Sequence, residues 1–425
     1  MKLLNLSLIL KPIKNVLNNY VLPKYLLQVA LWLKDYYKTP LGLVIQTALP
    51  TGLTKSRRKP IHNSKNSKIN NLQPTLEQSN AISHISNSDK TTFLVHGITG
   101  SGKTTVYLEV AKKVIASGKS VIFIVPEISL TTQLTKQVKS YFDEVISLHS
   151  GLTEAKKHLN WEKCLTSKKP LVVIGARSAL FAPLKNVGLI VIDEFHESSL
   201  KQDKNPKYYA VRLASKISEY SKAKLIIGSA TPTIADYWIA EQKSSSIIKL
   251  LSPAQEVTKP IVKLIDMSKK INFSKHYFLS NQLLESIASA LARKEQVLIF
   301  HNRRGSAKIT TCDDCGWSMP CDNCLIPMSL HSDKYSMICH SCGKHSPVPT
   351  KCPECKSANI SHKGIGTKLV ESELRKIFRS ALIKRFDTDS DETLGSLYED
   401  IINNKIDIVI GTQIIAKGLN IPSLS

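Results

Sequence analysis

Long apolar runs are absent from the sequence, and acidic residues are scarce. No stretch of the 425 residues approaches the ~20 consecutive apolar residues of a membrane span. The first ten residues, MKLLNLSLIL, contain Asn5 and Ser7 and are not followed by the small-residue cleavage site of a secretion signal. These absences make the sequence a poor match to a membrane-spanning helix or a signal peptide, and we expect a cytoplasmic protein without a membrane partner.

Acidic residues number 34 against 58 lysines and arginines, which gives a formal net charge of +24. The excess is greatest in residues 1–76, where twelve basic residues accompany a single acid, Asp35. A soluble protein with this charge usually has a polyanionic partner, and nucleic acid is the commonest one. We therefore expect DNA binding, although lysine-rich codon usage is an alternative source of the excess.

Cysteine is concentrated in one segment. Eight of the nine cysteines form four Cys-x-x-Cys pairs between residues 312 and 355. In a cytosolic chain this clustering is typical of thiolate metal sites, and eight thiolates fill two tetrahedral Zn²⁺ sites. The spacing leaves the pairing open, although the fourteen residues between the second and third pairs are near the usual zinc-ribbon spacing. The candidate ligands are Cys312, Cys315, Cys321, Cys324, Cys339, Cys342, Cys352 and Cys355.

Short apolar segments alternate with helical stretches from residue 92 onward. TFLVHG, SVIFIVPE, LVVIGA, VGLIVIDE and KLIIGSA are apolar almost throughout, as expected of parallel strands that are covered on both faces. A second series begins at EQVLIF and resumes at IDIVIG, on either side of the cysteines. The sequence therefore predicts two α/β lobes, the second interrupted by a metal module.

The predicted domains are a helical N-terminal segment, a basic linker, a first lobe, the start of a second lobe, the metal module and the rest of the second lobe. Their predicted bounds are 1–53, 54–74, 75–245, 246–311, 312–356 and 357–425.

The segment HGITGSGKTT has the G-x-x-x-x-G-K-[ST] spacing of a phosphate-binding loop, directly between a predicted strand and a predicted helix. Glycines let backbone N–H groups turn towards a phosphate, and the helix N-terminus adds positive potential. We expect Lys103 to reach the outer phosphates of ATP and Thr104 to be a ligand of Mg²⁺. The candidate ATP-binding residues are Gly97, Ile98, Thr99, Gly100, Ser101, Gly102, Lys103 and Thr104.

Two carboxylates, Asp193 and Glu194, directly follow the apolar run of VGLIVIDE. We expect Asp193 to hold Mg²⁺ through water and Glu194 to polarise the attacking water. Acids at a strand end are often only solvated surface, but the phosphate loop favours the catalytic interpretation. The predicted catalytic residues are Lys103, Thr104, Asp193 and Glu194.

Two further loops follow predicted strands. GARSALFAP places Arg177 and Ser178 where they could hold a DNA phosphate, and a structural salt bridge is the alternative for Arg177. GSATPTIAD places Ser229 and Thr231 where hydroxyls could link the hydrolysis site to a neighbouring surface, and a helix N-cap is the alternative there.

The loops together resemble the core of superfamily-two helicases. Taken in order, LHSGLTEAKK, IGARSALFAPL, VIDEFHESSLKQD, GSATPTIAD, FHNRRG and the four Cys-x-x-Cys pairs resemble the PriA family of primosomal replication-restart helicases. The resemblance covers about residues 10–425. It implies two RecA-like parallel-sheet lobes, the second incomplete, with an inserted two-zinc module, nested cysteine pairing and a partial winged-helix-like N-terminal segment. Residues 1–53 would be a remnant of the family's DNA end-binding and winged-helix domains, with LKPIKNVLN similar to the last part of the end-binding domain.

The same resemblance implies further site residues. Gln78 matches the family's adenine-side glutamine, and Pro126, Glu127 and Thr131 match a loop that touches the DNA strand. Phe195 stands where the family usually has a second glutamate, and Leu200 where an aromatic is usual. DNA binding or coupling is implied for Arg177, Ser178, His196, Ser229, Thr231, Arg303, Arg304, Gln413 and Lys417.

The function implied is an ATP-dependent, three-prime to five-prime DNA helicase of replication restart and primosome assembly. Its implied partners are forked or single-stranded DNA, primosome proteins and single-strand-binding protein. The family's Gly-Arg-x-Gly-Arg helix and most of its end-capture domain have no counterpart in the sequence, so we expect a truncated form that binds Mg-ATP and DNA with little DNA-stimulated hydrolysis.

The main alternative is a non-catalytic DNA- or primosome-binding protein with a relic ATP site, whose DNA affinity would not respond to nucleotide. A small-molecule kinase with a phosphate loop would explain neither GSATP nor the cysteines.

Overall fold

The computed structural model describes most of the chain. Apart from residues 131–133, the chain divides into two compact units, residues 1–258 and 259–425, which we call the first and second units. No helix in the described part of the chain has the length and apolar content needed to cross a membrane. The described residues are 21–53, 73–126, 133–242, 246–254, 260–267, 269–301, 308–331, 335–339, 341–363, 366–386, 399–412, 421, 423 and 424.

The first unit is built on a seven-stranded parallel sheet. The described strands of the first unit, seven of them in this sheet, are β1 (Thr92–Gly97), β2 (Ser120–Ile124), β3 (Val145–Leu148), β4 (Val172–Gly175), β5 (Val187–Ile192), β6 (Lys201–Gln202), β7 (Tyr208–Tyr209), β8 (Lys224–Ser229) and β9 (Ser246–Leu250). The sheet has the order β3-β4-β2-β5-β8-β1-β9, and β6 pairs with β7 separately. The helices are α1 (Lys24–Tyr36), α2 (Leu41–Ala48), α3 (Leu76–Asn87), α4 (Lys103–Ala116), α5 (Gln133–Tyr141), α6 (Glu154–Thr166), α7 (Ala210–Ser221) and α8 (Ile234–Gln242).

Both faces of this sheet are buried, as its apolar strands predict. In β2, Ile122 and Ile124 belong to one core cluster, while Val121 and Phe123 belong to the opposite one. Successive side chains of a strand point to opposite faces, so each strand contributes to both clusters. Because the strands are parallel, the loops that follow β1, β4, β5 and β8 meet at one edge of the sheet.

The helices α1 and α2 are part of the first unit's core. Val29 and Leu33 of α1 and Val44 of α2 are completely buried, and α1 packs on α7. The Tyr25 hydroxyl donates to the carbonyl of Ala182 at 3.0 Å. The predicted division between residues 1–53 and the first lobe therefore does not correspond to a division of the core.

Strand β9 closes one side of the first sheet. It pairs with β1 in parallel register, from Phe93 opposite Ser246 to Gly97 opposite Leu250. The predicted lobe boundary at residue 245 falls directly before this strand. The first sheet therefore extends past that boundary, because pairing with β1 buries Ile248 and Leu250.

The second unit contains two separate sheets. Its strands are β10 (Val297–Phe300), β11 (Lys308–Cys312), β12 (Ser329–His331), β13 (Ser336–Ile338), β14 (His345–Pro347), β15 (Ile360–Lys363), β16 (Ile383–Phe386) and β17 (Ile408–Gly411), and its helices are α9 (Asn281–Ala292) and α10 (Thr367–Ile377). A parallel sheet has the order β10-β17-β16. An antiparallel sheet, β14-β13-β12-β11-β15, carries the cysteine segment, which we call the cysteine module.

Several helices begin at residues whose side chains cap them. Thr75, Thr153 and Ser280 precede α3, α6 and α9, and each hydroxyl accepts from the backbone N–H three residues further on. An N-cap of this kind satisfies one of the donors that a helix start leaves unpaired. The start of α4 differs, because Gly102 in the left-handed conformation precedes it without a side-chain cap.

Candidate functional site

The phosphate loop connects the end of β1 with the start of α4. Gly100 and Gly102 have φ values of +80° and +76°, in the left-handed region that favours glycine. Gly97 has a different requirement, because a Cβ atom there would lie 2.6 Å from the Ser101 hydroxyl oxygen. Ile98 and Gly100 are exposed on the loop. The glycines thus allow the close turn on which a phosphate-binding loop depends.

Two polar side chains of this loop are buried. Lys103 is 9% exposed, and its Nζ donates to the carbonyl of Gly97 at 2.9 Å. The Ser101 hydroxyl has no hydrogen-bond partner within the described residues. A buried cation and a buried unpaired hydroxyl are groups that a phosphate would satisfy, so the residues present fit the phosphates of ATP. Thr104 follows in the first turn of α4.

Gln78 connects α3 with the phosphate loop. Its Nε2 donates to the carbonyl of Ser101 at 2.9 Å, and its Oε1 accepts from the backbone N–H of Thr75 at 3.0 Å. The side chain is 2% exposed. Both ends of the amide are therefore engaged at the base of the loop, next to Gly102, where a Cβ atom would collide with Gln78 Nε2.

The segment that follows β9 is also hydrogen-bonded to the loop. The N–H of Ile98 donates to Leu250 O at 3.1 Å, and the N–H of Ala254 donates to Gly100 O at 2.8 Å. Nearby, the Ser252 hydroxyl donates to Glu77 at 2.8 Å. We call residues 250–254 the exit segment, because they are the last described residues of the first unit.

Asp193 and Glu194 follow β5 at the same edge of the sheet. The N–H of Asp193 donates to the carbonyl of Ile124, at the end of β2, at 3.0 Å. Burial and the charge of Glu194 raise the pKa of Asp193 to about 7, against the opposing charge of Lys103. The lysine and the carboxylate are thus close enough to interact, and a divalent cation would favour the ionised carboxylate.

Tyr107 of α4 brings a hydroxyl to this carboxylate. Its Oη lies 3.4 Å from Asp193 Oδ1, and its side chain is completely buried. Burial, followed by the charges of Asp193 and Glu194, raises the pKa of Tyr107 well above its ordinary value. The phenol therefore keeps its proton and acts as a donor. Sequence reasoning missed this residue, because a tyrosine one turn into a helix belongs to no motif.

His196 links the loop after β5 with the loop after β8. Its Nδ1 lies 2.7 Å from the Ser229 hydroxyl and 3.4 Å from Glu194 Oε2. The same hydroxyl accepts from the N–H of Thr231 at 2.9 Å. Glu194 has a φ of +47°, which is uncommon for a residue with a side chain. Glu194, His196, Ser229 and Thr231 therefore form one chain of polar contacts.

Phe195 and Leu200 are core residues. Phe195 is completely buried and Leu200 is 1% exposed, and both belong to the cluster that includes α7. The N–H of Phe195 donates to Gly228 O at 3.1 Å. Neither side chain is therefore available to carry a charge or to stack on a base, which is consistent with the apolar residues that stand there.

Arg177 and Ser178 begin a 3-10 turn, Arg177–Phe181, directly after β4. Nη1 of Arg177 donates to the carbonyls of Ser199 at 2.6 Å and Lys201 at 2.9 Å. Part of the guanidinium thus fixes a neighbouring loop through backbone oxygens, rather than through the salt bridge considered as an alternative.

Arg177 and Ser178 also line a cavity of about 320 Å³. One wall of this cavity is the end of α2, whose carbonyl at Ala48 accepts from Trp161 Nε1 at 2.9 Å. Sequence reasoning missed this wall, because no local pattern indicates that residue 48 lies beside residue 161. The lining residues are Thr47, Ala48, Leu49, Pro50, Leu148, His149, Ser150, Lys157, Trp161, Arg177, Ser178, Phe181, Ala182 and Gln202.

Several predicted contacts lie outside the described residues. Pro126, by contrast, is described and is buried after β2, and β17 leads through Gly411 to a buried Thr412. The predicted residues outside the described ranges are Glu127, Thr131, Arg303, Arg304, Gln413 and Lys417.

The cysteines come together in two groups of four. Cys312, Cys315, Cys352 and Cys355 form one group, and Cys321, Cys324, Cys339 and Cys342 form the other, with the sulfur atoms of each group within 4.8 Å of one another. The Sγ atoms of Cys312 and Cys355 are 3.5 Å apart, and those of Cys321 and Cys342 are 3.6 Å apart. A tetrahedron with Zn–S bonds of about 2.3 Å has edges of about 3.8 Å, so these residues fit a metal ion.

Each cysteine pair ends in the same backbone turn, which we call the knuckle turn. The residue after the second cysteine has positive φ and donates its N–H to the carbonyl of the first cysteine, at 2.7–3.0 Å. Two of these residues are glycines, and the other two have side chains. The four are Gly316 (φ +78°), Leu325 (φ +57°), Gly343 (φ +75°) and Lys356 (φ +64°).

Backbone amides in these turns favour thiolates. The N–H groups of Cys315 and Asp314 lower the pKa of Cys312 to about 7. The pKa of Cys339 is also lowered to about 7, by the amides of Cys342 and Ser341. A hydrogen bond with the Cys342 thiol and desolvation raise the pKa of Cys324 to about 12. The turns therefore favour the metal-binding thiolate at Cys312 and Cys339 rather than at every cysteine.

Two family models match the chain. A DEAD/DEAH box helicase model matches residues 75–237, and a model of the PriA 3′ DNA-binding domain matches residues 7–50. The second match covers the segment that was expected to hold remnants of the DNA end-binding and winged-helix domains. The similarity of that segment is therefore to the 3′ DNA-binding domain.

Curated relatives are similar over most of the chain. Replication restart protein PriA of Bacillus subtilis (strain 168) is 38% identical over 395 residues, which are 90% of this chain and 49% of the relative. PriA of Rickettsia conorii (strain ATCC VR-613 / Malish 7) is 37% identical over 408 residues, 94% of this chain and 62% of the relative. The chain thus spans 49% and 62% of the lengths of these two relatives.

Solved helicases share the fold. The DUF1998 helicase MrfA bound to DNA has a TM-score of 0.50 at 13% identity, over 82% of this chain and 44% of that chain. The DEAD-box helicase Mss116 bound to single-stranded RNA has a TM-score of 0.50 at 15% identity, over 83% and 63%. The predicted RecA-like fold with a second parallel sheet and two cysteine clusters is confirmed.

Proposed function

Because the chain belongs to the PriA family of replication restart proteins, we propose that it works as an ATP-dependent DNA helicase of replication restart. The observation that carries the proposal is that the phosphate loop after β1 and the carboxylates after β5 lie at the same edge of the first sheet, where Tyr107 of α4 contacts Asp193. A phosphate loop and a carboxylate in this arrangement suit phosphoryl transfer. Such chemistry would drive movement along DNA, and the protein would act in the cytoplasm.

Each residue of the ATP site has a separate proposed role. The phosphates would be surrounded by Gly97, Ile98, Thr99, Gly100, Ser101 and Gly102. Gln78 would lie on the side of the loop that faces the adenine, and it would support the loop through its hydrogen bond to the carbonyl of Ser101. Lys103 would exchange its bond to Gly97 O for phosphate oxygens. Thr104 and Asp193 would hold Mg²⁺, which supplies positive charge near the transferring phosphoryl group. Glu194 would accept the proton of the attacking water.

The polar chain from Glu194 to Thr231 supports a role in coupling. His196 contacts Glu194 and Ser229 together, so a displacement of the loop after β8 would change the position of the carboxylate. We assign His196, Ser229 and Thr231 to the transmission of DNA contacts to the hydrolysis site. The buried Phe195 between these residues serves as an apolar anchor for the loop.

DNA is the proposed polymer partner. The cavity beside Arg177 and Ser178 has room for part of a nucleotide, since small-ligand pockets begin at about 300 Å³. Lys157 and Arg177 line this cavity and supply positive charge that a DNA phosphate would meet. Forked or single-stranded DNA, primosome proteins and single-strand-binding protein are the proposed partners, with Arg303, Arg304, Gln413 and Lys417 as proposed contacts in the second unit.

Zinc is the proposed metal of both cysteine groups. Four thiolates in a tetrahedral arrangement select Zn²⁺ or an iron centre, and the knuckle turns are typical of zinc. Elemental analysis of the purified protein by mass spectrometry is expected to give two zinc ions per chain. Iron in place of zinc would contradict this assignment.

The test of the main proposal measures DNA affinity with and without a non-hydrolysable ATP analogue. The analogue is expected to change the affinity of the 425-residue chain for forked DNA several-fold. Lys103→Ala should abolish this response, because the buried ammonium would no longer meet the phosphates. Lys112→Ala is the matched control, since Lys112 is an exposed lysine of the same helix.

If the ATP analogue does not change the DNA affinity of the unaltered chain, the non-catalytic alternative would be favoured instead. A nucleotide response that survives Lys103→Ala would show that the phosphate loop is not the ATP site.

A further inference from the structure

Tyr107 and Gly228 form a contact beside the carboxylate of Asp193. Tyr107 lies one helical turn after Lys103 in α4, so both side chains lie on the same side of the helix. Its hydroxyl is directed at Asp193 Oδ1, 3.4 Å away. Within the described residues this is the only hydrogen bond that the Tyr107 hydroxyl makes. A completely buried hydroxyl with a single partner has a defined direction.

Gly228 of β8 leaves the space that this hydroxyl occupies. A Cβ atom on Gly228 would overlap the Tyr107 hydroxyl oxygen and approach the ring carbon that carries it to 2.7 Å. The φ of Gly228 is not in the left-handed region, so backbone conformation does not require glycine there. The position of the Tyr107 hydroxyl therefore explains why residue 228 is a glycine. The carbonyl of Gly228 also accepts from the N–H of Phe195, which ties β8 to the loop that carries Asp193.

A carboxylate needs this kind of support to hold a metal in one orientation. The final torsion of an aspartate side chain is broad, so the carboxylate oxygens of Asp193 are not fixed by the backbone alone. The Tyr107 hydroxyl at Oδ1, together with the backbone N–H of Glu194, restricts that torsion. Partners that orient a metal ligand in this way typically change metal affinity by about 10- to 100-fold when they are removed.

We propose that Tyr107 is a positioning residue whose hydroxyl orients Asp193 for Mg²⁺, and that Gly228 is glycine because the hydroxyl occupies the space of a side chain. The inference rests on the proposed function, since it adds two residues to the same Mg-ATP site. Neither residue belongs to the phosphate loop or to the pair of acids.

The experiment measures the affinity of a fluorescent ATP analogue with excess Mg²⁺ and with EDTA, and takes the ratio as the Mg²⁺ enhancement. Tyr107→Phe is expected to reduce this ratio about tenfold or more while the affinity in EDTA stays unchanged. Gly228→Ala should have the same effect, because the added methyl displaces the hydroxyl. The control is Tyr25→Phe, which removes another buried hydroxyl of the first unit, bonded to Ala182 O, and should leave the ratio unchanged.

The outcomes separate the inference from the proposed function. Failure of the unaltered chain to bind the analogue would overturn both. Normal binding with an unchanged Mg²⁺ enhancement in Tyr107→Phe would overturn the inference alone. Equal losses with Mg²⁺ and with EDTA, accompanied by a lower melting temperature, would show a structural role and overturn it as well. If Gly228→Ala does not fold, Tyr107→Phe decides the result.

Discussion

The sheet of the first unit and the sheet of the cysteine module are stabilised in different ways. The first has a buried core on each face, with helices over both. The cysteine module has one small cluster of buried side chains, Cys321, Met328, Met337 and Cys339, and two of these four are metal-ligand candidates. Hydrophobic burial thus holds the sheet that carries the proposed ATP site, whereas we expect the sheet of the cysteine module to depend on its proposed metal ions.

Metal removal should distinguish the two sheets most strongly. Apparent binding free energies of structural zinc are about 10–16 kcal/mol, which exceeds the stability of a small domain. A strong chelator, or Cys339→Ser, is expected to abolish hydrogen-exchange protection in β11–β15. Protection in β2 and β5 should remain, because their cores contain no proposed metal ligand.

The control for metal removal is Cys164→Ala, which changes a buried cysteine of the first unit and should leave the metal content intact. Persistent protection of β12 and β13 after complete metal removal would contradict a metal-dependent module.

A truncation in α1 should have an intermediate effect confined to the first unit. Leu33 is completely buried in the core that includes α7, and Leu33→Ala is expected to reduce the free energy of unfolding by about 2–5 kcal/mol. Urea denaturation followed by hydrogen exchange at β5 would measure it. Leu31→Ala, on the half-exposed side of the same helix, should change it by less than about 0.5 kcal/mol.

Protection in the cysteine module should be equal in both leucine variants. A loss of stability in that module, or none in the first unit, would show that α1 does not belong to the core that we describe.

The smallest effects are expected from the knuckle turns. Gly343 has positive φ and open space around it, so Gly343→Ala introduces only backbone strain, of about 1–2 kcal/mol. A strain of about 1.4 kcal/mol corresponds to a tenfold change in a binding constant, so the metal affinity should fall about tenfold. Competition with a chromophoric chelator would measure it.

Lys356→Gly should raise the affinity by a smaller factor, because it relieves the same strain but adds freedom to the unfolded chain. Lys356→Ala is the control that removes the side chain and keeps the strained φ. Equal affinities in all three variants would show that the backbone conformation does not limit binding.

Much of the first unit was predictable because its signals are local. The phosphate loop has fixed spacing, and Asp193 and Glu194 follow an apolar strand in sequence. Parallel topology then brings the strand ends together, which is a rule of the fold class rather than a property of these residues. The knuckle glycines were predictable for the same reason, since Gly316 and Gly343 each follow a cysteine pair directly.

The remaining features depend on contacts between distant segments. Residue 48 meets Trp161, and β9 meets β1, although neither segment carries a signal of its partner. Tyr107 has no motif, and its role becomes visible only beside Asp193 and Gly228. Leu325 and Lys356 adopt positive φ against their own preference, in turns where their N–H groups donate to the carbonyls of Cys321 and Cys352.

The exit segment gives the phosphate loop a mechanical connection. Ile98 donates to Leu250 O, and Gly100 O accepts from the N–H of Ala254, so the loop shares backbone hydrogen bonds with the last described stretch of the first unit. A displacement of the exit segment would therefore act directly on the phosphate loop, because two backbone hydrogen bonds join them without an intervening side chain. The exit segment is therefore placed to transmit tension in the chain to the proposed nucleotide-binding loop.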